Sequence, residues 1–104
     1  MFTRKESVTR LLWWLIAGTK GGGTRATIIA ALRKMPGNAN QLADKLRLDY
    51  KTVRHHLGIL LKNGMILTIG QGYGATYVLS PELEENYNVF EDIWKRIGKN
   101  KKRQ

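Results

Sequence analysis

Residues 38–66, NANQLADKLRLDYKTVRHHLGILLKNGMI, decide how the chain folds. Leu42, Ala43 and Leu46 recur at helical spacing and Asn40 precedes them as an N-cap, which predicts a short helix over 41–47. Asp49 is the N-cap of the next helix, 50–63, whose inward positions are Val53, Leu57, Leu60 and Leu61. Gly64 follows as the glycine that closes a helix in the left-handed region. Two short helices joined by a tight turn form a helix-turn-helix.

Working outward, MILTIG (65–70) and ATYVLS (75–80) are rich in β-branched and aromatic residues, with QGYG (71–74) between them. That pattern predicts a β-hairpin with a glycine-rich tip. Ser80 and Pro81 then open a last helix, as N-cap and first helical residue. Leu83, Tyr87, Phe90, Trp94 and Ile97 run down one face of it. Glu82, Glu84 and Glu85 lie in its first turn and Lys95, Arg96 and Lys99 in its last, as the helix dipole favours.

Upstream, Thr3 and Glu6 fit a capping box, followed by Val8, Leu11, Leu12, Leu15 and Ile16 on one helical face. Trp13 and Trp14 fall partly off that face. They widen the buried face or meet a partner subunit, and the two readings weigh about equally. The glycines of 18–23 end this helix, and Thr24 is read as the N-cap of the next, with Ile28, Ala31, Leu32 and Met35 inward. Pro36 and Gly37 stop that helix. The expected architecture is mainly α with a small β-hairpin wing: a winged helix-turn-helix with additional N- and C-terminal helices. Residues 1–98 form that domain, and 99–104, KNKKRQ, are read as a disordered basic tail.

The chain has 104 residues and no cysteine, so disulfides, thiolate metal sites and cysteine nucleophiles are excluded. A domain this short buries a modest core, and a dimer would help it. Lys and Arg number 18 against 8 Asp and Glu, a net charge of +10 that attracts polyanions. The longest apolar run, LLWWLIA at 11–17, is too short to span a bilayer, and the N-terminus lacks the pattern of a signal peptide. The expected location is the cytoplasm, in association with the nucleoid, without membrane partners.

The glycine run suggests a phosphate-binding loop at first sight. Gly18 and Gly23 have the spacing of a P-loop, but Thr24-Arg25 replaces Lys-Ser/Thr, and a helix rather than a strand precedes it. A second possibility is that Gly23, Thr24 and Arg25 open a helix N-terminus onto a DNA phosphate, with Lys20 assisting. A plain linker weighs evenly against it. His55 and His56 diverge by about 100° on a helix and have no ligand partner at i+4, so they do not hold one metal together. No nucleophile–base arrangement and no pair of carboxylates beside a pocket emerges, so the chain does not read as an enzyme.

The outward positions near the start of helix 50–63 are Tyr50, Lys51, Arg54 and His55, the positions from which a recognition helix meets the major groove. Arg54 can address guanine bidentately, and Lys51 a base or a phosphate. Thr52 is a further phosphate candidate. The tip carries no Lys or Arg, so wing contacts would come from Gln71, Tyr73 and amide groups.

At 38–66 the sequence resembles the helix-turn-helix core of archaeal winged-helix regulators related to the ArsR type. The pattern QLA…L.LDYKTVRHHL..L..NG.I and the following hairpin carry the resemblance, most clearly over about 22–79. It implies a homodimeric transcription factor joined through its terminal helices, with Leu11, Trp13, Trp14, Phe90, Trp94 and Ile97 as interface candidates. It implies double-stranded DNA as the partner, contacted at Tyr50, Lys51, Arg54 and His55 and by the wing near 71–73. It also implies that His56 packs at the helix–sheet junction. Many such sensors bind metals through cysteines, which this chain lacks; no cofactor is expected, and no effector is named. The rivals are a nonspecific architectural DNA-binding protein and a winged-helix protein-interaction module.

Overall fold

The computed structural model of the protein describes residues 2–102, without the side chains of Tyr73 and of residues 99–102. Helix α1, Arg4–Leu12, starts on the expected capping box of Thr3 and Glu6. It continues into a π-helical segment, Trp13–Gly18, that the sequence pattern did not foretell. Thr19 closes that segment by donating its hydroxyl to the Trp14 carbonyl at 3.1 Å. Helix α2, Gly22–Lys34, then begins three residues earlier than expected, with Gly21 (φ 89°) as its N-cap in place of Thr24. The reason for glycine here is contact: a Cβ on Gly22 would overlap the Ile16 carbonyl, and one on Gly21 would meet the His56 ring. The glycines let the end of the first helical rod lie against the start of the second.

Helix α3, Ala39–Leu46, is capped by Asn38, not Asn40, through a reciprocal capping box with Gln41. Helix α4, Tyr50–Lys62, has the expected N-cap, Asp49. Gly64 (φ 73°) turns the chain as read. Strands β1, Ile66–Ile69, and β2, Thr76–Leu79, form an antiparallel hairpin that pairs Ile66 with Leu79 and Thr68 with Tyr77. The tip, Gly72–Gly74, is a 3₁₀ turn. This is a mainly helical fold with a two-stranded wing, the winged helix-turn-helix that the sequence leads one to expect.

The last helix is broken where one continuous helix was expected. Helix α5, Pro81–Glu85, ends at Asn86, and α6 runs Tyr87–Lys102. Asn86 sends its side-chain amide back to the Glu82 carbonyl at 2.8 Å, a local bond that competes with helix continuation. Helix α6 also takes in residues 99–102 of the segment expected to be a disordered tail, while Arg103 and Gln104 lie outside the described residues.

The core draws on every α-helix, the π-helical segment and both strands, with Leu12, Leu15, Ile28, Ile29, Leu57, Leu60, Ile66, Leu83, Phe90 and Ile93 fully buried. Met35, expected inward, is 66% exposed, because α2 ends at Lys34 and the chain turns out into an extended residue. Among the described residues no helix is long and apolar enough to cross a membrane.

Candidate nucleic-acid interface

The turn between α3 and α4 needs one left-handed residue, which Arg47 supplies at φ 56°. The amides of Arg47 and Leu48 bond back to α3, to the carbonyls of Asp44 and Ala43. The Asp49 carboxylate accepts from the amides of Lys51 (3.0 Å) and Thr52 (3.3 Å), which fixes the direction in which α4 sets out. Val53, His56, Leu57 and Leu60 are buried, so the opposite side must face out. Lys51, Thr52, Arg54, His55 and Gly58 are exposed there, and Tyr50 is half-buried against the core.

Arg54 is held in place. Its Nη1 donates to the Tyr77 hydroxyl at 2.8 Å. Tyr77, only 4% exposed, is itself fixed on β2, where its backbone exchanges hydrogen bonds with Gly37 (2.8 and 3.4 Å). The bond leaves most of the guanidinium donors free while it restricts where the group points. An open groove of about 460 Å³ separates α4 from the wing, with Arg54, Thr68, Gln71 and Tyr77 along it. Tyr77 was missed as a site residue. The alternation Ala75, Tyr77, Leu79 marks it as inward, but nothing in the sequence names Arg54 as its partner.

Gln71 is exposed at the hairpin tip, and Gly70 and Gly72 both take positive φ. The Tyr73 side chain lies outside the described residues. Leu67 and Ile69 are exposed on the wing, so its outer face is apolar rather than cationic.

The expected phosphate contact at Arg25 is corrected by its burial. Arg25 is 2% exposed, and its guanidinium turns into the protein. Nε donates to the Leu15 carbonyl at 2.8 Å, Nη1 to His56 Nδ1 at 3.1 Å, and Nη2 to the Thr19 hydroxyl and to the Lys20 carbonyl at 3.2 Å. Because a guanidinium only donates, His56 Nδ1 is the acceptor and its proton sits on Nε2. Burial, followed by the charges of Arg25 and His55, pushes the His56 pKa below its ordinary value. His56 is thus a packing residue, as implied, but against the glycine joint and Arg25 rather than at the helix–sheet junction. The amide of Gly22 is already bonded to the Thr19 carbonyl at 3.3 Å, and Thr24 is half-buried beside Trp94, Leu46 and Leu48. Lys20 remains exposed.

The six interface candidates separate. Phe90 is 1% exposed and stacks in the core at 5.2 Å from Tyr87, so it cannot face a partner. Leu11, Trp94 and Ile97 are half-buried against the core. Trp13 is 38% exposed with the Arg96 guanidinium of α6 over its ring at 6.0 Å, whereas Trp14, 52% exposed, lies on the side of α4. Among the described residues no group of three or more His, Asp or Glu could hold a metal ion.

Residues 22–67 match the model of the family described as bacterial regulatory protein, arsR family. No curated protein sequence matches the chain. Among solved structures, reduced HlyU from Vibrio cholerae N16961 is similar at a TM-score of 0.59 and 20% identity, over 86% of this chain and 85% of that one. The transcriptional regulator HlyU from Vibrio vulnificus CMCP6 gives 0.59 and 21%, over 84% and 82%. An ArsR-like transcriptional regulator from Rhodococcus sp. RHA1 gives 0.60 and 21%, over 93% and 86%. At these identities the likeness is one of fold, and it extends beyond the matched segment into the terminal helices.

Proposed function

We propose that this chain, whose residues 22–67 match the arsR-type helix-turn-helix, is a sequence-specific double-stranded DNA-binding transcriptional regulator. It is a binding protein rather than an enzyme. The observation that carries the reading is Arg54: exposed near the start of α4, oriented by Tyr77, and flanked by Lys51 and His55. Helix α4 enters the major groove, where Arg54 reads bases and Lys51 and Thr52 meet bases or phosphates. The wing follows the backbone through Gln71 and Tyr73. The net charge of +10 supplies attraction that the uncharged tip does not.

The active species is a homodimer joined through α1, the π-helical segment and α6, with Leu11, Trp13, Trp94 and Ile97 at the interface. Half-sites then lie about 34–36 Å apart or at a multiple of that. The protein works in the cytoplasm on the nucleoid, and its archaeal affinity rests on the resemblance at 38–66 alone.

Fluorescence anisotropy against the DNA upstream of its own gene and a scrambled duplex, over a salt series, tests the reading. Specific regulation requires a gap of about 4 kcal/mol or more between some natural duplex and the scrambled one. Equal affinity for every duplex, after selection of bound genomic fragments, would leave the architectural reading in its place. Arg54→Ala should cost about 1–3 kcal/mol and relax preference at one base pair. Lys51→Ala should weaken all duplexes alike and flatten the log–log salt slope by about 0.9 if it meets a phosphate.

A further inference from the structure

On the side of α4 away from the wing, a cleft of about 330 Å³ separates the recognition helix from the glycine joint. Trp14 and Ile59 give it apolar walls. Lys20, His55 and Lys62 stand at its exposed rim, and Arg25 reaches it from the core. No carboxylate lines it among the described residues. Lys20, Lys62 and Arg25 bring positive charge to the cleft, and an anion placed there is attracted by all three. Trp14 leaves half its surface in water although it belongs to a small domain with a well-filled core. The Arg96 guanidinium lies over the Trp13 ring, while Trp14 lines the cleft beside α4.

We propose that this cleft is a binding site for a small planar organic anion, an aromatic body bearing one carboxylate. The aromatic body stacks on Trp14 and packs on Ile59, and the carboxylate takes charge-assisted hydrogen bonds from Lys20 and Lys62. The volume is at the lower end of the roughly 300–1,000 Å³ of small-molecule sites, which suits one or two fused rings. A DNA phosphate would use the cations but leave Trp14 and Ile59 in water, so it fits only half of the site. His55 and Lys62 belong to both the cleft and α4, so an occupant competes with DNA. That consequence rests on the DNA-binding reading; the site itself does not.

The test uses the free full-length protein and 2-naphthoate as probe, followed by calorimetry and by amide chemical shifts. Saturable binding is expected at one site per chain, with shifts centred on Trp14, Lys20, His55 and Ile59. The uncharged 2-naphthalenemethanol should bind at least about tenfold more weakly, and so should the naphthoate to a Lys20→Met/Lys62→Met protein. Those two side chains are exposed at the surface, so the variant folds. Trp14→Ala should lower affinity and Trp14→Phe restore much of it. Equal binding of acid and alcohol, unchanged affinity in the double lysine variant, or no saturable binding overturns the proposal. Inorganic phosphate binding as tightly as naphthoate, with no response to Trp14→Ala, would assign the cleft to a phosphate backbone instead. Duplex affinity measured with and without naphthoate is a separate experiment, so failure of the DNA reading leaves the direct binding result standing.

Discussion

Replacing Arg25 with methionine separates a structural cation from a DNA-binding one. The guanidinium makes four hydrogen bonds, and two of its acceptors, the Leu15 carbonyl and His56 Nδ1, sit in buried residues. Methionine fills much of the same space and donates nothing. The acceptors at Thr19 and Lys20 are closer to solvent and can turn to water. The two buried acceptors cannot, and each buried group left unsatisfied costs about 1–3 kcal/mol. Relief from holding a buried cation offsets part of that, as the burial that lowers the Arg25 pKa indicates. The net expectation is a loss of about 3 kcal/mol, a large share of the roughly 5–15 kcal/mol that stabilises an ordinary domain. In urea, with a slope of about 1–3 kcal/mol per molar, the midpoint should fall by about 1–3 M. Arg25→Lys keeps the charge but reaches only some of the acceptors, so it should fall between. The salt slope of DNA binding, measured where the variant is folded, should not change. A variant as stable as the parent, with a slope shallower by about 0.9, would show that Arg25 holds a phosphate and that the inward geometry is wrong.

His56 should give stability a pH dependence. Its folded pKa lies below the ordinary 6.5, chiefly through burial, so the folded protein binds fewer protons there than the unfolded chain. That share of stability is complete above 6.5 and is lost as pH falls through the lower folded value; urea midpoints across the range should show it, and His56→Asn should flatten the curve. Gly22→Ala should prevent α2 from packing on the Ile16 carbonyl and cost more than about 2 kcal/mol, whereas Gly58→Ala, in open space within α4, should raise stability by about 0.8–1 kcal/mol. Thermal melts of the two proteins moving in the same direction would contradict the close contact at Gly22. Tyr77→Phe removes one neutral acceptor from Arg54 and should cost stability about 0.5–1.5 kcal/mol. It should narrow the affinity gap between preferred and scrambled duplexes; an unchanged gap would mean that Arg54 needs no brace.

The sequence by itself determined the order of elements and most of their ends. Periodicity is a local property, and Asp49, Gly64, Thr3 with Glu6, and Ser80 with Pro81 act within a turn of where they stand. The outward face of α4 was legible for the same reason: with Val53, Leu57 and Leu60 buried, Lys51, Arg54 and His55 have to point away. Helix starts differ by two or three residues where two local signals compete, as Asn38 against Asn40 and Gly21 against Thr24. What the tertiary structure alone decided is the fate of charges and aromatics whose partners are distant in sequence. Arg25 and His56 lie 31 residues apart, and Arg54 and Tyr77 lie 23 apart. One arginine is drawn into the core because the π-helical segment and His56 of α4 offer it buried acceptors. The other is kept at the surface because a strand offers a single hydroxyl. No spacing along the chain distinguishes them, since a guanidinium is stable in either place once its donors are satisfied.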